Sequence, residues 1–110
     1  MTGTSTNQWN VGLVGYGEVG RILGEDLRKQ NVRVAAYDIK LDTDQAVALR
    51  DHASAHGVAL TASHADLAAQ SDFIVSAVTA SQAVAVAQAC APAVKPGAWF
   101  LDFRIRNWVR

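Results

Sequence analysis

A single cysteine, Cys90, excludes an internal disulfide, and no Cys-x-x-Cys pair is present to serve redox chemistry or to hold zinc. Charge of neither sign is in excess. Ten Lys and Arg balance ten Asp and Glu, which removes the electrostatic basis for capturing nucleic acid or an anionic membrane surface. There is no G-x-S-x-G and no basic groove with interleaved aromatics, so nucleophilic-serine and nucleic-acid chemistries have no support. The polar start MTGTSTNQWN has neither the basic nor the apolar region of a secretory signal, and a cytoplasmic location is expected. No repeat or low-complexity linker interrupts the 110 residues, which read as one small domain. One long uncharged run, from Phe73 to Val94, has the length to cross a bilayer. Ser76, Thr79, Ser81, Gln82, Gln88 and Pro92 break it, and it divides better into a buried strand and an alanine-rich helix; no membrane partner is expected.

Strand and helix patterns alternate along the chain. Val11 to Val14 is a strand ending at glycine, and Val19, Ile22, Leu23 and Leu27 then recur at helical spacing in a helix ending near Asn31. Gly20 and Gly24, one turn apart on it, are explained by close packing against a strand. Val32 to Tyr37 is a second strand. Asp42 and Gln45 resemble a capping pair for a helix running to about His56, with Gly57 as its stop. Val58 to Thr61 is a short third strand, and Ser63 with Asp66 opens a brief helix through Ala69. Phe73 to Val78 is the fourth strand, followed by a helix to about Ala91. Pro96-Gly97 turns into a fifth strand, Ala98 to Asp102. Such alternation implies parallel strands joined by right-handed crossovers: an α/β, Rossmann-type doubly wound sheet, single domain, with strand order 3-2-1-4-5. The domain is expected over 11–103, with a flexible segment at 1–10 and an atypical arginine-rich tail at 104–110.

VGLVGYGEVG contains Gly15, Gly17 and Gly20 at the spacing GxGxxG. Alone this is weak, since glycines turn chains for many reasons. Here the loop follows a strand, opens a helix, and is followed 18 residues after Gly20 by Asp38 at the end of the next strand. In that context Gly15 permits a tight turn, Gly17 lets the backbone approach a pyrophosphate, and Gly20 lets the helix sit close to the sheet. The helix start supplies free N–H groups for the phosphates. A structural glycine turn is the alternative. Asp38 can accept hydrogen bonds from ribose hydroxyls and repel the extra phosphate of NADP, which favours NAD; Lys40 and Arg33 nearby could screen that repulsion, and NADP stays open. Asp38 could also be a simple turn residue. Cofactor contacts are therefore expected at Gly15, Tyr16, Gly17, Glu18, Val19, Gly20, Asp38, Ile39, Val78 and Thr79, with NAD or NADP as the ligand.

His52 and His56 stand four apart on a helix, a spacing that suits a metal, but no third ligand is evident and a solvated helix face is expected. No metal and no catalytic residue are expected in this chain. His64 at a helix start reads as incidental. Cys90 shares an apolar stripe with Ala83, Val86, Ala87 and Val94 and reads as a small core residue.

In order, VGLVGYGEVGRILGEDL, the strand ending AYD, SDFIVSAVT and KPGAWFLDF resemble the N-terminal domain of the β-hydroxyacid dehydrogenases. These include the 6-phosphogluconate and 3-hydroxyisobutyrate dehydrogenases, and the likeness is nearest in flavour to 6-phosphogluconate-dehydrogenase-like members. It covers Val11 to Phe103, with Val19 standing where the family's G-x-G-x-M-G has methionine. The resemblance implies NAD(P)-dependent oxidation of a hydroxyacid by hydride transfer. In that family, the strand matching Ala98 to Asp102 runs into a substrate loop of the form D-x-[SN]-[ST]-x-x-[PS]; here Asp102 and Phe103 precede Arg104, Ile105, Arg106 and Asn107. The family's helical second domain carries a catalytic lysine, which Lys29, Lys40 and Lys95 do not match. The expectation is a truncated chain that binds cofactor, does not turn over alone, exposes apolar surface and self-associates. Alternation of Phe103, Ile105 and Val109 with Arg104, Arg106 and Arg110 could equally prolong the last strand as a charged edge. A regulatory nucleotide-sensing Rossmann module of the potassium-uptake type shares the glycine loop and the acid after strand two, and is the alternative function.

Overall fold

Five strands alternate with four helices in a computed structural model that describes residues 9–102. They are β1 (Asn10–Val14), α1 (Glu18–Lys29), β2 (Arg33–Tyr37), α2 (Ala46–His56), β3 (Ala59–Leu60), α3 (His64–Gln70), β4 (Phe73–Ser76), α4 (Ala80–Cys90) and β5 (Trp99–Asp102). All strand pairs are parallel, in the expected order β3-β2-β1-β4-β5. The expectations for residues 1–8 and for the tail at 104–110 fall outside the described residues. Asn10, read from sequence as part of the leading segment, is the first residue of β1: its N–H donates to Asp72 Oδ2 at 2.9 Å.

Side-chain alternation along each strand builds two cores. Val11 and Leu13 of β1, Val34 and Ala36 of β2, and Val75 of β4 face α1 and α2, where Leu23, Leu27, Leu49 and Ala53 pack on them. Val14, Ala35, Tyr37 and Ile74 face the other way, onto Leu67 and Ala68 of α3 and Val86 and Cys90 of α4. Leu13, Leu67 and Ile74 are fully buried, each worth about 1.5–3 kcal/mol of apolar burial. Burial pushes the Cys90 thiol up, in keeping with a packing role; Ala87, expected on the same stripe, is exposed.

Several boundaries differ from the sequence expectation for local reasons. β4 stops at Ser76 because its partner β1 stops at Val14: Ala77 N–H makes the last bond, to Val14 O, and Val78 has no ladder partner. Asp42 does not cap α2. It lies inside a 3-10 turn over Ile39–Asp42, whose cap is the Asp38 side chain, and α2 starts only at Ala46. Ser63 does cap α3 as read, its hydroxyl accepting from Asp66 N–H at 3.0 Å.

The expected exposed apolar surface is present. Among the described residues β5 is an edge strand, with Trp99 68% and Phe100 39% exposed. On the α1 side of β4 and β5, a wholly apolar groove runs past Trp9, Val11, Leu23, Leu27, Phe73 and Leu101.

Candidate functional site

β1 leads into α1 on one face of the sheet and β4 leads into α4 on the other, so the chain parts at the carboxyl ends of these neighbouring strands. A cleft of 360 Å³ opens there, lined among others by Gly15, Gly17, Asp38, Ile39, Val78 and Thr79. Six of the ten expected contact residues are thus brought together.

The glycine loop is built tightly. Gly15 adopts φ +91°, its N–H donates to Tyr37 O at 2.9 Å, and a Cβ on it would lie 2.7 Å from the Ala77 carbonyl oxygen. A Cβ on Gly20 would collide with the Gly15 carbonyl oxygen, so α1 can approach the loop only because Gly20 has none. The first helical bond runs from Arg21 N–H to Gly17 O at 2.9 Å, and the amides of Glu18, Val19 and Gly20 have no intrahelical acceptor. At Gly17 nothing lies within 4 Å of where a Cβ would stand.

Asp38 forms the opposite wall and is 8% exposed. Its Oδ2 accepts from Tyr16 N–H at 2.7 Å and its Oδ1 from Lys40 N–H at 2.9 Å. A carboxylate has about four acceptor positions, so about two remain for a ligand. The turn role considered for Asp38 is therefore filled, and it leaves acceptor positions facing the cleft.

Four expected contacts do not line the cleft. Glu18 and Val19 are exposed on the first turn of α1, Gly20 lies beneath the loop, and the Tyr16 side chain is buried on the α2 side of the sheet. The Tyr16 hydroxyl meets His52 Nδ1 at 2.6 Å, and His52 Nε2 meets Glu25 Oε2 at 2.7 Å. The histidines are thus no simple solvated face: Tyr16 reaches His52 from the glycine loop and leaves its side chain only 16% exposed. Burial pushes the Tyr16 hydroxyl up to about 12 from 10.0, with Arg21 opposing and Glu25 adding to the rise. The folded chain holds this proton more tightly than the unfolded one, so the contribution to stability is complete below pH 10 and is lost as pH climbs towards 12. Tyr16→Phe is expected to cost about 1 kcal/mol near neutral pH through the lost hydrogen bond. It should also flatten the alkaline loss across that window, as read by urea unfolding at a series of pH values.

Sequence reasoning missed His64, which lines the cleft and meets Tyr37 edge-on at 4.7 Å between ring centroids. Burial pushes its imidazole down, against the Asp38 charge, which favours a neutral ring. Its signal was topological: in a doubly wound sheet, the first residue of a helix directly after a strand stands at the cleft rim.

Residues 1–103 match the family model described as D-isomer specific 2-hydroxyacid dehydrogenase, NAD binding domain. The chain belongs to this family. Its ligand is accordingly a nicotinamide dinucleotide, as the glycine loop led us to expect. Among solved structures, a conserved hypothetical protein from Sinorhizobium meliloti 1021 matches with TM-score 0.79 and 31% identity over 86% of this chain and 32% of that one. Mycobacterium tuberculosis 3-hydroxyisobutyrate dehydrogenase with L-serine matches with TM-score 0.73 and 22% identity, over 86% of this chain and 31% of that one. The NAD-complexed D-isomer specific 2-hydroxyacid dehydrogenase of Lactobacillus delbrueckii ssp. bulgaricus matches with TM-score 0.66 and 16% identity, over 90% and 28%. The family rests on the match of residues 1–103, the solved structures share the fold, and the chain spans about a third or less of the length of these structures. No curated protein matches. No helix of the described residues is long and apolar enough to cross a membrane.

Proposed function

We propose that this domain holds NAD in preference to NADP, with the pyrophosphate against Gly17 and the start of α1 and the adenosine ribose against Asp38. The observation that carries this reading is the open space at Gly17, in a cleft whose far wall is a carboxylate with unused acceptor positions. The unpaired amides of the first turn of α1 favour phosphate oxygens. Val78 and Thr79 line the same cleft from the loop after β4 and would border the bridge towards nicotinamide. The extra phosphate of NADP would stand beside the Asp38 carboxylate, while Lys40 in the same wall moderates the penalty, so a preference of about tenfold, or ~1.4 kcal/mol, is expected. When bound, the dinucleotide supplies the ring that accepts a hydride; the chain's own residues bind it, orient it and wall one side of it off from water.

For the whole protein the proposal is oxidation of a hydroxyacid, of the 6-phosphogluconate-dehydrogenase-like or 3-hydroxyisobutyrate-dehydrogenase-like kind, in the cytoplasm. The motif order from VGLVGYGEVG to KPGAWFLDF supports it. Self-association through Trp99, Phe100 and the apolar groove belongs to the same proposal.

Calorimetric titration with NAD and NADP tests binding and choice together, and Gly17→Ala sharpens it. Its methyl would meet nothing in the protein, and the change from glycine to alanine at the N-cap of α1 costs up to about 1 kcal/mol, so the variant should stay folded with a melting point lower by a few degrees. NAD affinity should fall about tenfold or more, because the methyl takes the space that the pyrophosphate needs. Unchanged NAD affinity in a normally folded Gly17→Ala protein would remove the assignment.

A further inference from the structure

Two helices bring three ligand-bearing side chains to one point behind the glycine loop. His52 and His56 lie one turn apart on α2, with ring centroids 4.3 Å apart. Glu25 comes from α1, and its Oε2 lies 2.7 Å from His52 Nε2 and 3.8 Å from His56 Nε2. One donor atom from each of the three lies within 4.8 Å of the others. The third ligand that the sequence did not show is thus supplied across the helix pair, 27 residues away from His52.

We propose that Glu25, His52 and His56 form a site for a divalent transition metal, zinc being the best match, that clamps α1 to α2. Two imidazole nitrogens and one carboxylate oxygen are a borderline donor set of the kind zinc takes, with a further position left for water. Around a tetrahedral zinc ion the ligand atoms stand about 3.3 Å apart. The distances of 2.7 and 3.8 Å bracket that value, so small rotations of the side chains suffice. Glu25 is 34% and His56 37% exposed, which leaves both free to rotate and gives an ion access from solvent.

An outer partner is already in place. Tyr16 Oη engages His52 Nδ1 at 2.6 Å and leaves Nε2 as the nitrogen turned to Glu25 and to the metal. With the ion on Nε2, the ring proton resides on Nδ1 and donates to the Tyr16 oxygen, the arrangement that orients histidine ligands and raises their basicity. Because Tyr16 sits between Gly15 and Gly17, the metal would steady the loop from behind. The site does not depend on the dinucleotide reading, and its test uses no cofactor.

The untagged, chelator-treated 110-residue chain is titrated with zinc chloride by calorimetry. One ion per chain is expected, with micromolar affinity. His56→Ala and Glu25→Gln, each shown to be folded by circular dichroism, should weaken binding about tenfold or more, while His64→Ala should leave it unchanged. In the unmutated protein, zinc should shift the imidazole NMR signals of His52 and His56 and leave those of His64 in place, which decides the matter even where a variant fails to fold. Absence of saturable binding below about 1 mM zinc, binding insensitive to both folded variants, or a shift confined to His64 would each overturn the proposal.

Discussion

Gly20→Ala is expected to lower stability by about 3 kcal/mol or more and to abolish dinucleotide binding, although alanine is the better helix former by about 1 kcal/mol. The added methyl would strike the Gly15 carbonyl oxygen, with the Gly15 carbonyl carbon only 3.1 Å away. These are backbone atoms and have no rotamer to yield. Gly15 cannot retreat either, because its N–H is bonded to Tyr37 O and its φ of +91° already occupies a region closed to most residues. The strain must therefore lift the first turn of α1 off the loop, which moves the amides offered to the phosphates. Gly24→Ala is the matched control. Its methyl would meet Leu13 Cδ1 and Val58 Cγ2 at 3.5 Å, ordinary contact distance, so it should raise stability by about 0.5–1 kcal/mol. Urea unfolding of the two variants measures the contrast. Equal effects of the two substitutions would show that helix propensity, not the close approach, governs these positions.

That contrast marks what the sequence could and could not convey. Both glycines read alike, as small residues on the strand-facing side of a helix, yet only Gly20 lies against backbone. The fold was legible because alternating strand and helix patterns constrain topology strongly, and β1 and β2 carry uninterrupted apolar runs. Gly15, Gly17, Asp38, Ile39, Val78 and Thr79 were legible as neighbours because a doubly wound sheet gathers its strand ends into one crevice. Side-chain direction was less so. Tyr16 sits within the motif, and continued strand alternation would place it on the face of Val14; the turn at Gly15, with φ +91°, breaks that alternation and sends its ring towards α2. The pairing of Glu25 with His52 depends on how two amphipathic helices are rotated against each other, which no local spacing encodes. His64 reads as incidental in the sequence, although the topology already sets the start of α3 at the cleft rim, where it meets Tyr37.

Asp38→Ala should cost about 3–5 kcal/mol of stability before any ligand is considered. The buried amide of Tyr16 and the amide of Lys40 would each lose a charged acceptor, at about 1.5–3 kcal/mol apiece. For a domain whose total stability is of order 5–15 kcal/mol, that loss removes much of the folded population's margin. Lost binding in this variant would then report unfolding as much as recognition, so Asp38→Asn is the informative change. It keeps the side chain's shape and one acceptor oxygen, removes the charge, and should cost about half as much stability. Folded Asp38→Asn protein is expected to bind NAD about tenfold more weakly, while NADP affinity holds or rises as the repulsion of its phosphate disappears. Calorimetry with both dinucleotides, beside urea unfolding, separates the two roles. If the ratio of NAD to NADP affinity stays at its wild-type value while stability falls, Asp38 serves the glycine loop alone and cofactor choice must come from elsewhere in the wall, with Lys40 the next residue to replace.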